Sequence, residues 1–310
     1  MRVIVAGGAG FLGSHLCDAL LARDDEVVAI DNLCTGSLEN IEHLADEVRF
    51  AFVKSDVSDR VELDGVVDAV CNLASPASPP AYLSMPLETL AVGSDGARHL
   101  VELAERNDAR FVQASTSEVY GDPDVHPQRE DYWGNVNPIG PRSVYDESKR
   151  FAEALTMAHH RARGTDVGIA RIFNTYGPRL APGDGRVVSN FIVQALASEP
   201  LTVYGDGFQT RSLCYVDDLV AGLLALLDSD VTGPVNLGNP TELTVLELAH
   251  RVLAATGSSS SIVHRELPTD DPVRRQPDIA LAAELLGWTP VVSLEAGLAL
   301  TIEHFRTTRS

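Results

Sequence analysis

The stretch RVIVAGGAGFLGSHLCDALLA, residues 2–22, decides the fold. Residues 2–6 form an apolar run of strand length, and residues 11–22 have the apolar spacing of an amphipathic helix. The segment EVVAID at 26–31 reads as a second strand. A strand, a helix and another strand in this order predict a parallel sheet with helices on both faces, and therefore an α/β fold.

Glycines between the first strand and the first helix predict what this sheet binds. Gly7, Gly10 and Gly13 form a G-x-x-G-x-x-G pattern, and their missing side chains let the backbone approach a pyrophosphate at the helix N-terminus. Asp31 ends the second strand 18 residues after Gly13, close to the spacing at which an acid meets the adenosine ribose. Because its charge would repel a 2'-phosphate and no arginine follows closely, the sequence predicts a Rossmann-type site for NAD rather than NADP.

The rest of the chain predicts a larger and a smaller domain. Further strands are expected near 48–53, 68–73, 109–114 and 167–173, with helices at 87–106 and 143–163. After about residue 174 the alternation becomes irregular, although Thr244 and Glu247 predict a capping box that opens a helix ending near 256. We expect an NAD-binding domain at 1–173 and a smaller α/β domain at 174–310. The second domain would mainly bind substrate, with some segments returning to the first.

Composition limits the partners. With 310 residues, 45% of them hydrophobic, the chain can bury a large core. A net charge of -20, with no long run of Lys or Arg, argues against nucleic acid or membrane partners. The four cysteines are scattered without metal-site or disulfide spacing, so we expect no metal and a reducing, cytoplasmic location. The N-terminal apolar run is too short and too glycine-rich for a signal peptide or a membrane helix.

A tyrosine and a lysine predict the reacting centre. Tyr145 and Lys149 form Y-x-x-x-K, and this i, i+4 spacing places both side chains on one face of a helix. A nearby ammonium stabilises a phenolate, so we expect a lowered tyrosine pKa and a base that can act near neutral pH. The segment ASTSEVYGDP at 114–123 adds Ser115, Thr116 and Ser117 directly before Glu118, at the end of a predicted strand.

Together these motifs resemble the extended short-chain dehydrogenase/reductase superfamily that acts on nucleotide sugars. RIFNTYGP belongs with these superfamily motifs. The family within it is indicated by further blocks, which are similar to UDP-glucuronate decarboxylase (UDP-xylose synthase) over nearly the whole chain: GDPDVHPQREDYWGNVNPIGPRS, GRVVSNFIVQAL, VYGDG, QTRS, YVDDLV and PVNLGNP. The resemblance implies an NAD-dependent carboxy-lyase that oxidises C4 of UDP-glucuronate and loses C6 as carbon dioxide. The product would be UDP-xylose or a UDP-4-keto-pentose. It also implies a homodimer formed by the helices near 87–106 and 143–163.

The residues after Ser115 indicate which reaction follows oxidation. In the related 4,6-dehydratases the triplet is Thr-Asp-Glu, and its central acid protonates a departing C6 hydroxyl. Here that position is Ser117, and a β-keto acid loses carbon dioxide without a proton donor at C6. In related 4-epimerases the triplet consists of hydroxyl residues, and no glutamate follows in the same role. Glu118 therefore favours decarboxylation.

The resemblance and the motifs together give three sets of site residues. The predicted catalytic residues are Tyr145, Lys149, Glu118, Thr116, Ser117 and Arg275. The predicted NAD-binding residues are Gly7, Gly10, Phe11, Leu12, Gly13, Asp31, Asn32, Asp56, Val57, Leu73, Tyr145 and Lys149. The predicted UDP-sugar-binding residues are Pro76, Ser117, Glu118, Asn174, Val188, Tyr204, Gln209, Arg211 and Arg275. In the last set, arginines suit the diphosphate and the VYGDG segment suits uracil.

Two positions depart from the family pattern, and other functions stay open beside the decarboxylase. Relatives usually carry Lys-Thr-Asn where this chain has Ala91, Val92 and Gly93, and that lysine is expected to help hold the substrate carboxylate. Ser148 replaces the usual glycine before Lys149. The alternatives are a UDP-sugar 4-epimerase, a 4,6-dehydratase, or a catalytically silent NAD-binding scaffold or redox sensor.

Overall fold

The computed structural model describes residues 1–266 and 274–308. The strands are β1 (Arg2–Ala6), β2 (Glu26–Asp31), β3 (Phe50–Lys54), β4 (Ala69–Asn72), β5 (Arg110–Thr116), β6 (Val167–Ile172), β7 (Thr175–Tyr176), β8 (Leu201–Tyr204), β9 (Thr210–Ser212), β10 (Cys214–Tyr215), β11 (Pro234–Leu237), β12 (Glu242–Thr244) and β13 (Ile262–Arg265). The helices are α1 (Phe11–Ala22), α2 (Pro79–Ser84), α3 (Pro86–Ala91), α4 (Ala97–Arg106), α5 (Ser143–Arg163), α6 (Val187–Leu196), α7 (Val216–Leu227), α8 (Val245–Thr256), α9 (Ala280–Leu286) and α10 (Leu294–Thr307). Short 3-10 turns lie at Leu38–Asn40, Glu42–Leu44 and Ser117–Tyr120.

Seven strands form one parallel sheet in the order β11-β6-β5-β4-β1-β2-β3. The chain therefore winds outward in both directions from β1 and β4, which confirms the predicted doubly wound Rossmann-type sheet. Three two-stranded sheets, β10-β7, β12-β9 and β13-β8, lie in the C-terminal half of the described residues. Because β11 comes from beyond residue 174 and pairs with β6, a C-terminal segment completes the large sheet.

The two faces of the sheet bury different side chains. Val3 and Val5 of β1 join a cluster that includes α1, whereas Ile4 joins the cluster under α4. Alternate residues of a strand point to opposite faces, so a continuous apolar strand requires a helical layer on each side. The boundary between the two proposed domains at residues 173 and 174 stays a prediction.

The helix predicted at 87–106 is interrupted. It forms as α3 and α4 with a π-helical segment, Val92–Gly96, between them. Two glycines in this segment approach their neighbours closely, since a Cβ at Gly93 would lie 2.4 Å from the Cβ of Ser148 and one at Gly96 would lie 3.0 Å from Val57. Apolar spacing alone predicts helical periodicity and does not report such a break. The capping box of Thr244 and Glu247 forms as predicted and opens α8.

Within residues 1–266 and 274–308, no helix combines the length and the apolar character needed to cross a bilayer.

Candidate active site

A cleft of about 490 Å³ follows the carboxyl ends of the central strands. The glycine loop after β1, the polar end of β5 and one face of α5 all contribute to its lining. In a doubly wound sheet this edge, at the point where the strand order reverses, is where ligands bind. A smaller pocket of about 80 Å³ adjoins it and shares Gly7 and Gly10.

The glycine loop leaves the first turn of α1 open to an anion. Gly7 has a φ of +78°, and a Cβ at Gly13 would lie 2.0 Å from the carbonyl oxygen of Gly7. The N-terminus of α1 has no side-chain cap and no acid in its first turn. Its free N–H groups and helix dipole are therefore available to a phosphate group.

Asp31 is the last residue of β2 and lines the smaller pocket. Its two carboxylate oxygens accept hydrogen bonds from the backbone N–H groups of Ala9 (3.1 Å) and Leu33 (2.8 Å). Burial raises its pKa, and these two hydrogen bonds oppose the rise. Asn32 donates to Asp56 (2.7 Å) beside it. This arrangement fits the adenosine end of a dinucleotide, and every predicted cofactor residue lines one or both pockets.

Tyr145 and Lys149 lie together on the inner face of α5. The tyrosine side chain is hydrogen-bonded with that of Thr116. The Lys149 Nζ donates to the carbonyl oxygen of Ala114 (2.9 Å) and lies 5.8 Å from the centre of the Tyr145 ring. The ring of Tyr82 stacks on Tyr145, with centroids 5.2 Å apart and planes 7° from parallel. The tyrosine is therefore fixed on one face by an aromatic ring and at its hydroxyl by Thr116.

The ionisation of this pair differs from the sequence-based expectation. Burial raises the pKa of Tyr145 to about 12, against the opposing hydrogen bond from Thr116 and the charge of Arg186. Burial also lowers the pKa of Lys149 to about 8. The expectation of a lowered tyrosine pKa considered only the neighbouring ammonium, whereas desolvation disfavours the charged form of both groups.

The 3-10 turn after β5 carries Ser117 and Glu118 and is held by two arginines. Glu118 accepts from Arg142 (3.0 Å) and from Arg275 (3.2 Å). Arg275 also donates to the Ser117 Oγ (3.1 Å) and to the carbonyl oxygen of Gly121 (3.2 Å). Burial alone would raise the pKa of Glu118, but the charges of Arg275 and Arg142 outweigh it and lower that pKa overall. Glu118 is therefore a carboxylate anion at neutral pH.

Asp146 gives a pH-dependent prediction for stability. Burial, followed by the charge of Glu118, raises its pKa to about 7, and one carboxylate oxygen is buried without a hydrogen-bond partner among the described residues. Because the unfolded carboxyl loses its proton near its ordinary pKa of 3.8 and the folded one only near 7, stability falls as pH rises from about 4 to about 7, and the full cost is present above 7. Asp146→Asn should therefore raise Tm at pH 8, with a gain that shrinks as pH falls from about 7 to about 4. Thermal unfolding across this range measures the effect.

The matched control is Asp46→Asn, because Asp46 is exposed. It should leave Tm unchanged at both ends of the range. A gain for Asp146→Asn that is as large at pH 4 as at pH 8 would contradict the buried, weakly acidic state assigned to this carboxyl.

The predicted UDP-sugar residues divide into groups. Ser117, Glu118 and Asn174 line the main cleft, whereas Pro76 lines the smaller pocket. The remaining residues line neither pocket: Val188, Tyr204, Gln209, Arg211 and Arg275. Gln209 donates to the carbonyl oxygen of Tyr204 (2.7 Å), so two of the predicted UDP-sugar residues contact each other. Arg275 lies behind the cleft, against the Ser117–Glu118 turn.

Sequence reasoning missed three arginines. Arg142 binds Glu118, and its position one helical turn before Tyr145 was the available signal. Arg179 and Arg186 line the main cleft, where they pair with Asp18 (2.7 Å) and Asp184 (3.0 Å). With Lys149 they place three cations in a cleft whose lining also carries Glu39, Glu118 and Asp184.

The two departures from the family pattern contact each other. Ala91 ends α3, and two residues later the backbone of Gly93 packs on the side chain of Ser148. Because a Cβ at Gly93 would lie 2.4 Å from the Cβ of Ser148, a side chain at position 93 is incompatible with serine at 148 in this arrangement. Gly93 therefore leaves the room that the Ser148 side chain on α5 occupies.

Comparison with known proteins shows which family the sequence matches. Residues 3–238 match the model of the NAD dependent epimerase/dehydratase family. UDP-glucuronic acid decarboxylase 1 of Arabidopsis thaliana is 53% identical over 306 residues, covering 99% of this chain and 70% of the relative. UDP-glucuronic acid decarboxylase 1 of Xenopus tropicalis is 52% identical over 305 residues, covering 98% and 72%.

Solved structures with related folds hold nucleotide sugars. UDP-glucose 4-epimerase of Thermotoga maritima, solved with UDP-glucose, has a TM-score of 0.91 at 30% identity and covers 100% of both chains. UDP-glucuronic acid 4-epimerase of Bacillus cereus, solved with UDP-glucuronic acid and NAD, has a TM-score of 0.88 at 28% identity and covers 99% of this chain and 100% of its own. Both are more distant in sequence than the decarboxylases.

Proposed function

This chain belongs to the NAD dependent epimerase/dehydratase family, and we propose that within it the chain decarboxylates UDP-glucuronate by way of a 4-keto sugar. The observation that carries the choice of reaction is the Ser117–Glu118 turn. Glu118 is held as an anion by Arg142 and Arg275, and position 117 offers a hydroxyl rather than an acid. The turn therefore has no carboxylic acid with which to protonate a departing C6 hydroxyl. Loss of carbon dioxide from a β-keto acid needs no such proton donor at C6.

Each residue of the reacting centre has a proposed part in this reaction. When bound, NAD supplies the acceptor for the C4 hydride and returns the hydride afterwards. Tyr145 removes the proton of the 4-hydroxyl, and Thr116, already hydrogen-bonded with Tyr145, binds the C4 oxygen. The buried ammonium of Lys149 stabilises the phenolate as it forms.

Decarboxylation leaves an enolate that must gain a proton at C5. The electrons of the C5–C6 bond move into the enolate as C6 departs as carbon dioxide, and the C4 oxygen carries the charge. We assign Ser117 and Glu118 to orienting the sugar ring and managing the proton that returns to C5. Reduction of the ketone at C4 then gives UDP-xylose and makes the cycle redox-neutral.

The substrate is an anion, and the cleft carries cations that can hold it. Arg179 and Arg186 lie in the lining with Lys149, although Ala91 stands where relatives carry a lysine. We expect the missing lysine to weaken the hold on the carboxylate and to allow some keto sugar to escape before reduction. The product would then be a mixture of UDP-xylose and UDP-4-keto-pentose.

Product mass and NADH absorbance test this assignment. The purified chain is incubated with UDP-glucuronate, with and without added NAD. Loss of carbon dioxide without accumulating NADH indicates UDP-xylose, whereas NADH that accumulates in step with product indicates release of the keto sugar. A product of unchanged mass would instead indicate a 4-epimerase. In a parallel incubation with UDP-glucose, loss of water would indicate a 4,6-dehydratase.

We also infer a homodimer in a reducing, cytoplasmic setting. All four cysteines are free, which suits that setting. Leu87 on α3 is 75% exposed and Phe151 on α5 is 50% exposed, and an apolar face of this kind favours a second copy of the chain. Light scattering should give the mass of a dimer, and Phe151→Glu should shift it toward the monomer. A monomeric mass for the unaltered chain at micromolar concentration would contradict the inference.

A further inference from the structure

Arg275 reaches the reacting centre from a segment without regular structure. Residues 274–276 belong to no helix or strand, and α9 begins only at residue 280. Even so, the residue is only 2% exposed, and its side chain donates to Ser117, Glu118 and Gly121. A guanidinium on an irregular segment needs other contacts to hold it in one place.

Gln128 supplies the first set of these contacts. Its backbone N–H donates to the carbonyl oxygen of Gln276 (2.9 Å), and its own carbonyl oxygen accepts from the N–H of Asp278 (2.9 Å). Its side-chain Oε1 accepts from the N–H of Gln276 (2.9 Å). Gln128 is fully buried, so these bonds are shielded from water. They bind the chain at the residue directly after Arg275.

Asn236 connects that segment to the catalytic turn. It lies on β11 with no exposed surface, and its Nδ2 donates to the carbonyl oxygens of Gln128 and Asp278, each at 3.0 Å. Its Oδ1 accepts from the hydroxyl of Tyr120 (2.8 Å), the last residue of the turn that carries Ser117 and Glu118. The Asn236 amide therefore bonds both to the segment that carries Arg275 and to the turn that carries Glu118.

We propose that Asn236 and Gln128 are positioning residues that hold Arg275 against Ser117 and Glu118 during catalysis. Neither lines the cleft, so each acts through Arg275 rather than on the substrate. The inference rests on the proposed decarboxylation. It adds to that proposal the residues that fix the geometry of the Glu118 ion pair.

A double-mutant cycle tests the proposal. Asn236→Ala should lower kcat for UDP-glucuronate on the order of 10²-fold, which is the typical cost of misplacing a catalytic group by about 1 Å. In an Arg275→Ala background the same change should cost less than about threefold, because the group that it positions is already gone. Equal losses in both backgrounds would overturn the proposal. Single-turnover assays keep the weak double variant measurable.

The pH profile gives a readout that general loosening of the fold would not move. Glu118 faces Arg275 and Arg142, with Asp146, Tyr82 and Tyr145 also nearby. Displacing Arg275 removes the larger of the two charges that lower the pKa of Glu118, so that pKa rises. The acid limb of kcat should therefore move to higher pH in Asn236→Ala. An acid limb that does not move would overturn the proposal.

A second variant protects the test if Asn236→Ala fails to fold. Gln128→Met keeps the backbone bonds and the side-chain volume but removes the acceptor for Gln276. Its loss of kcat should be smaller than that of Asn236→Ala and should also shrink in the Arg275→Ala background. Its acid limb should also move to higher pH. If the unaltered chain releases no carbon dioxide, the proposed function fails; if it does and the cycle is additive, only the positioning role fails.

Discussion

Tyr145→Phe is expected to lower kcat for UDP-glucuronate by roughly 10²–10⁴-fold, the usual contribution of a positioned general base. The phenylalanine ring keeps the stack on Tyr82, and only the hydroxyl that is hydrogen-bonded with Thr116 is lost. The UDP-sugar Kd should therefore stay nearly unchanged, because the ring still fills its place. Steady-state kinetics and calorimetric titration with UDP-glucuronate measure the two quantities separately.

Tyr82→Phe is the matched control. It removes the same atom from the ring stacked on Tyr145, and the Tyr82 hydroxyl is buried without a hydrogen-bond partner among the described residues. Removing an unsatisfied buried hydroxyl costs little and can stabilise the fold, so activity should persist. Full activity in Tyr145→Phe would exclude this tyrosine as the base.

Glu118→Gln should cause the second largest loss, with kcat falling on the order of 10²-fold as the catalytic turn loses its fixed geometry. The substitution keeps the size of the side chain but removes the negative charge between Arg142 and Arg275. Arg275 is 2% exposed, and a buried cation that loses its anion is strongly destabilising, so Tm should fall as well. Product assays and thermal unfolding test both effects.

Glu62→Gln, an exposed site, is the control and should change neither quantity. NAD binding should survive in Glu118→Gln, since the two hydrogen bonds that hold Asp31 come from Ala9 and Leu33 and do not involve this turn. A Glu118→Gln variant that decarboxylates at the normal rate would show that the carboxylate is not needed for the reaction.

The part of the molecule that follows from short-range patterns could be predicted. The glycine spacing, the acid at position 31 and the Y-x-x-x-K pair each combine residue type with a fixed local geometry. That geometry survives in the structure because strand β1, helix α1 and helix α5 are regular. The doubly wound sheet follows from the same alternation of strands and helices.

The parts that depend on distant contacts could not be predicted. Arg275 meets Glu118 across 157 positions of sequence, and Asn236 meets Tyr120 across 116. No local pattern encodes such pairings, which arise only when the C-terminal segment folds over the sheet. The ionisation of Tyr145 was also out of reach, because burial depends on the whole surrounding structure and outweighs a neighbouring charge.

The most direct measurement follows the carboxyl carbon of the substrate. The purified chain is given NAD and UDP-glucuronate labelled with carbon-13 at C6, and both the released gas and the nucleotide sugar are analysed by mass. Decarboxylation predicts that the label leaves as carbon dioxide and that the remaining sugar is an unlabelled pentose. A labelled UDP-sugar of unchanged mass, formed as a new isomer, would contradict it and make this chain an epimerase.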